Sequence, residues 1–158
     1  MDRFLIVTND GKDTDHSVTA KVKSLLTEAG KTCILCQKDE KKNIVRESIP
    51  EDLDCAVVIG GDGSLIEVAR LLWKRDVPVL GINMGTVGYL TEVEVSHIDQ
   101  AIRQIAAGDY EVEDRMMLEG SFEGQKEDVA LNDIVVCRKG ELRVIHFRLY
   151  VNVALLNS

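Results

Sequence analysis

The stretch from Val57 to Leu65 constrains the fold of this chain more than any other. An apolar run, Val57-Val58-Ile59, breaks into Gly60-Gly61-Asp62-Gly63-Ser64 and gives way to a helical pattern. A buried strand that ends at such a turn and feeds a helix is the usual seat of a nucleotide's phosphates. Glycine admits close approach of backbone to ligand and tolerates φ > 0. The N–H groups that open the following helix then point at the anion. Asp62 is the odd member, because phosphate repels a carboxylate. Its presence suggests a part in chemistry, in a hydroxyl contact or in metal binding. The plainer alternative is a tight turn whose Asp62 caps its own helix.

Elements on either side repeat the alternation. Phe4 to Val7, Thr32 to Cys36, Leu53 to Ile59 and Pro78 to Ile82 read as buried strands. Between them, Val18, Val22, Leu25, Leu26 and Ala29 fall at helical spacing, with Asp13, Thr14 or Asp15 as N-cap and Gly30 just past the end. A second helix runs from Ser64 to Trp73, and a third carries Ile98, Ala101, Ile102, Ile105 and Ala106 before Gly108. Strands alternating with helices over short loops predict an α/β fold, a Rossmann-like parallel sheet with helices. After Tyr110 the style changes. Met116 to Phe122, Asp128 to Cys137 and Arg143 to Val153 read as consecutive antiparallel strands, the last with one apolar and one polar face. The expected division is therefore an α/β nucleotide-binding unit over 1–112 and the start of an all-β unit over 113–158.

A net charge of −8 from 19 basic and 27 acidic residues argues against a nucleic-acid surface. No apolar run reaches the length of a membrane span, and Met1-Asp2-Arg3 leads straight into a strand, so a cytoplasmic protein is expected. Cys33 and Cys36 lie three apart on a strand and should face opposite sides of the sheet, which excludes a shared metal or a redox pair. Cys55 and Cys137 sit in apolar sequence, and the cysteines read as free thiols filling core or surface sites.

The glycine loop is neither a Walker A sequence, since no lysine follows the glycines, nor the dinucleotide fingerprint, since Ile66 stands where a third glycine would. Gly60-Gly61-Asp62-Gly63-Ser64 resembles the G-G-D-G-[ST] loop of NAD kinases, diacylglycerol-type lipid kinases and 6-phosphofructokinases. Gly81-Ile82-Asn83-Met84-Gly85-Thr86-Val87-Gly88-Tyr89-Leu90 resembles a second NAD kinase stretch, with Val87 and Tyr89 as mild departures. Ala130-Leu131-Asn132-Asp133-Ile134-Val135-Val136 resembles a third. The family's threonine-rich segment, S-T-P-T-G-S-T-A-Y, has no counterpart, so a form truncated inside the β unit, inactive alone, is expected.

The resemblance implies phosphoryl transfer from ATP, or polyphosphate in some members, to the 2′-hydroxyl of the adenosine ribose of NAD. It casts Asp62 as the catalytic acceptor of the hydroxyl proton and Gly60, Gly61, Gly63 and Ser64 as the phosphate loop. Asn132 and Asp133 would hold the dinucleotide, Arg143 would stand near it, and Mg²⁺ would arrive with the nucleotide. A homo-oligomer formed through the β unit is implied for the complete protein. The other outcomes are a nucleotide-binding fragment without catalysis or a lipid or sugar kinase of the same superfamily. Glu67, Arg70, His16, His97 and His146 read as structural or solvated residues, and Asn83 as either a ligand contact or a turn-stabilising side chain.

Overall fold

A computed structural model of the chain describes residues 1–85, 88–124, 127–137 and 146–157. Five parallel strands make the main sheet: β1 (Arg3–Thr8), β2 (Thr32–Leu35), β3 (Cys55–Gly60), β4 (Val79–Asn83) and β5 (Val93–Glu94). Their spatial order is β2-β1-β3-β4-β5. The chain moves outward from β1 to β2, then returns to the other side of β1 to lay down β3, so the order reverses between β1 and β3. Phe4 and Ile6 face the layer of α1 (Ser17–Glu28) and α3 (Ile98–Ala107), with Val22, Leu26, Ile98 and Ile102 packed against them. Leu5 and Val7 face the other layer, where α2 (Asp62–Leu72) contributes Val68 and Leu72. Alternate residues of β1 and β3 thus fill two cores, which is why β1 from Phe4 to Val7 and β3 throughout are apolar.

The expected elements of the first unit are present with shifted ends. β3 begins at Cys55 rather than Leu53, and β4 runs from Val79 to Asn83 rather than from Pro78 to Ile82. α2 begins at Asp62, two residues before the sequence pattern suggested, so the glycine turn is shorter than expected. The sequence did not announce β5, which is only two residues long. At the start of α1, His16 occupies the cap position in a left-handed conformation. The capping chemistry comes from buried Asp13, whose carboxylate accepts from the N–H groups of Val18 (3.2 Å) and Thr19 (2.9 Å). Gly30 and Gly108 take positive φ, 76° and 83°, just past the ends of α1 and α3, as expected of glycines there.

Cys33 packs against the core under α1 and Cys36 against the core under α2, so the pair does face opposite ways. Burial pushes the Cys55 thiol up to about 12. Cys55 is a free thiol in the core and Cys137 a free thiol at the surface. Among the described residues, no helix is long and apolar enough to cross a membrane.

Beyond Tyr110 the structure holds two short antiparallel pairs, β6 (Leu118–Gly120) with β7 (Asp128–Ala130), and β8 (Leu149–Val151) with β9 (Ala154–Asn157). The expected strand over 128–137 stops at Ala130. The expected strand over 143–153 is, within the described residues, only β8, which ends in a hairpin at Asn152 and Val153 with φ of 48° and 63°. Its two faces do not differ: Phe147, Leu149, Tyr150, Val151 and Val153 are all exposed. Alternation encodes a buried face only when another layer covers it, and no described residue does so here.

Candidate functional site

The site stands where the strand order reverses, at the carboxyl ends of β1 and β3. Open sheets of this order place their ligand crevice at that point. β3 ends at Gly60, Gly61 is extended (φ −157°, ψ −175°), and α2 starts at once with Asp62. None of the three glycines of the loop has a positive φ, so the left-handed freedom expected of them is not what the fold uses. Close approach is. A Cβ on Gly60 would lie 2.7 Å from Ser64 Oγ, and one on Gly61 2.7 Å from Lys12 Nζ. Gly63 has open space around it. From β1, Asn9 closes the turn: its N–H donates to the Ile59 carbonyl (2.8 Å) and its Nδ2 to Ser64 Oγ (3.1 Å).

Asp62 does not cap its own helix, and the α2 N-terminus has no side-chain cap bond. Its carboxylate reaches the second glycine loop. Oδ2 accepts from the N–H of Tyr89 (2.7 Å), while Oδ1 accepts from the N–H groups of Leu90 (3.2 Å) and Thr91 (3.0 Å) and from the Thr91 hydroxyl (2.9 Å). Desolvation works to raise the Asp62 carboxyl, but the bonds from Tyr89, Thr91 and Leu90 outweigh it and hold the group below the usual range. A carboxylate offers about four lone-pair sites. Three of the four bonds fall on Oδ1, so Oδ2 keeps the capacity to accept one more.

Gly88 is required at this junction, since a Cβ there would lie 2.1 Å from Asp62 Oδ1. Gly88→Ala should therefore displace the 88–91 loop from Asp62 and cost about 1–3 kcal/mol, the usual range for overpacking. Chemical denaturation of the variant checks this. A loss below 0.5 kcal/mol would mean that the loop gives way freely (by the ~0.5 kcal/mol bound on neutral surface changes).

Asp62 does not line the cleft that holds Asn132 and Asp133. They line it, a cleft of about 510 Å³, with Ile66 and Arg70 of α2 and with Ser121 and Phe122. The two places are connected by α2, because 62, 66 and 70 are four apart and share one helix face. Arg70, read from sequence as a surface residue, joins the helix to the second unit. Its Nε donates to the Val129 carbonyl (2.8 Å) and its guanidinium pairs with Asp128 (2.5 Å). Arg143 lies outside the described residues.

Among the weaker candidates, Glu67 is exposed on α2, Asn83 is buried at the end of β4 opposite Gly60, and His146 is exposed. His16 sits 4.0 Å from Asp10, and His97 contacts Ser96 at the start of α3. Among the described residues no group of three or more His, Cys, Asp and Glu could hold a metal ion. Sequence reasoning missed Lys12, whose amine rests against Gly61 and lies 3.3 Å from where a Cβ on Gly85 would be. Its only signal was a lone lysine in a polar loop, far along the chain from both Gly61 and Gly85.

Strand order and a glycine-lined crevice at the reversal place the chain among the doubly wound α/β proteins. The description "ATP-NAD kinase N-terminal domain" belongs to the family model that matches residues 8–110. The chain belongs to the NAD kinase family. A curated NAD kinase of Lachnospira eligens is 38% identical over the whole chain, which spans 57% of that relative's length. An NAD kinase of Archaeoglobus fulgidus, solved in complex with ATP, superposes with a TM-score of 0.53 at 22% identity, over 74% of this chain and 39% of that one. Yeast NADH kinase, solved with NADH, gives 0.64 at 14% identity, over 82% and 46%. At those identities the likeness shows the fold.

Proposed function

We propose that the protein containing this sequence transfers a phosphoryl group from ATP to the 2′-hydroxyl of the adenosine ribose of NAD, giving NADP. The observation that carries this reading is the position of Asp62, an ionised carboxylate with one free acceptor position, at the mouth of a glycine cradle in a chain of this family. Phosphoryl transfer asks little covalent chemistry of a protein and much positioning. The N–H groups of Asp62 and Gly63 lead α2 and have no partner in a preceding turn, so they are donors for the phosphates. The hydroxyl of Ser64 completes that edge. Asp62 Oδ2 accepts the hydrogen bond of the attacking ribose hydroxyl and takes its proton as the new O–P bond forms. Asn132, Asp133 and Arg143 are assigned to the dinucleotide, and Arg70 holds β7, which leads into Asn132 and Asp133, against α2.

Mg²⁺ is proposed to come bound to the donor, with polyphosphate as the other donor chemistry. We assign the nucleotide cradle to 1–112 and the dinucleotide side to 113–158. The exposed Met116, Phe122 and Val153 support self-association of the latter into a homo-oligomer. A cytoplasmic location suits four free thiols and both substrates.

An assay that offers ATP and Mg²⁺ with NAD, diacylglycerol or fructose 6-phosphate tests the reading. NADP is the expected product. Phosphorylation of either other acceptor, with none of NAD, would overturn it.

A further inference from the structure

Lys12 lies in the loop that leaves β1 at the reversal point. That loop is folded tightly: the N–H groups of Lys12 and Asp13 both donate to the Asn9 carbonyl (2.9 Å each), and the Gly11 N–H donates to Asn9 Oδ1 (3.0 Å). The turn holds the backbone of Lys12 beside the cradle and sends its side chain across it. The ammonium ends between the two glycine loops, close to Gly61 and Gly85, where any larger residue would push it away.

The carboxylates of its own loop and of Asp62 are engaged elsewhere. Asp10 pairs with Lys38 (2.7 Å), Asp13 caps α1, and Asp62 holds the 89–91 backbone. Among the described residues Lys12 makes no ion pair and no side-chain hydrogen bond. Its charge instead stands near the N-terminus of α2, the positive end of the helix dipole, where like charge is disfavoured. An anion between the ammonium and the helix reverses that repulsion and turns both charges into donors for one ligand.

We propose that Lys12 binds the phosphate chain of the phosphoryl donor, facing the first N–H groups of α2 across it. The inference rests on the kinase reading of this site and adds to it a residue that contacts the donor. Lysine suits the task as a compact charge on a flexible stem, able to follow oxygens that move during transfer.

Titration of the protein containing this sequence with ATP, inorganic tripolyphosphate and AMP, with and without Lys12→Met, tests it. Lys12→Met should weaken ATP and tripolyphosphate by about 10- to 100-fold, the usual worth of a hydrogen bond between charged groups, and AMP by far less. Lys12→Arg should restore most of the affinity, because the charge is kept. The melting temperature should not fall, since the side chain has no protein partner to lose. Unchanged binding of ATP and tripolyphosphate by Lys12→Met would overturn the assignment while leaving the kinase reading intact. An equal loss for all three ligands would mark a structural role and overturn it too. If the unsubstituted protein binds neither ATP nor tripolyphosphate, the kinase reading itself fails, and this inference with it.

Discussion

Asp62→Asn should lower turnover by about 10²–10⁴-fold, the range that a general base supplies, with ATP affinity changed only a few-fold. The carboxylate has two tasks in the structure, and the amide can do neither well. It anchors the second glycine loop through four accepted bonds, and it keeps one acceptor position on Oδ2 open. An asparagine placed there offers one oxygen and one NH₂ group. If the oxygen keeps the partners of Oδ1, the NH₂ group faces the N–H of Tyr89, and nothing is left to receive a proton from a ribose hydroxyl. The donor's phosphates would still meet the N–H groups of α2, which the substitution leaves in place, so binding survives. Steady-state kinetics separate the two effects. A fall in ATP affinity as large as the fall in turnover would show that Asp62 only braces the loop. The downward pKa shift adds a second expectation. Protonation of Asp62 begins to matter only below its ordinary value of 3.8, so turnover near neutrality should show no acid limb from this group.

Much of the fold was legible because the cause of each element lies close in sequence. Phe4 to Val7 of β1 and all of β3 are apolar, since each strand fills two cores, and Gly30 and Gly108 end helices by occupying conformations that other residues resist. Gly60 to Ser64 could be read as a tight strand-to-helix junction for the same reason: the turn, the glycines and the helix start are contiguous. What could not be read depends on partners distant in the chain. Lys12 meets Gly61 and Gly85 only after β1, β3 and β4 have been placed side by side. Arg70 reads as an exposed helical arginine until β7 is folded against it. The role of Gly88 is invisible without the Asp62 carboxylate that fills the space its side chain would take. The strands after Tyr110 were overextended for the opposite reason. Alternation in Ile145 to Val153 promises a buried face, and a promise of burial specifies a strand only when another layer keeps it.

Ile59→Ala should reduce stability by about 2–5 kcal/mol, the range for removing a large aliphatic side chain from a packed core. Ile59 is fully buried in the core beneath α1 and α3, and β3 is the central strand of the order β2-β1-β3-β4-β5. Ile59 is itself paired on both sides, to Thr8 and to Ile82, and Ile82 is paired in turn to Val93, so the space cannot close by a shift of one edge. A domain of this size is commonly stable by only about 5–15 kcal/mol, which makes this one change a large fraction of the whole. The same residue supports the cradle, because its carbonyl receives the N–H of Asn9 and Gly60 follows it directly. Those are backbone contacts, and alanine keeps them. Urea denaturation should therefore show a much lower midpoint for Ile59→Ala, while the folded fraction binds ATP nearly as well as the parent. Ile59→Val, which removes one methylene, should cost about 0.5–1.5 kcal/mol. If alanine cost no more than valine, the core under α1 and α3 would be loosely packed, and a rigid sheet could not be what holds Gly61, Asp62 and Lys12 in register.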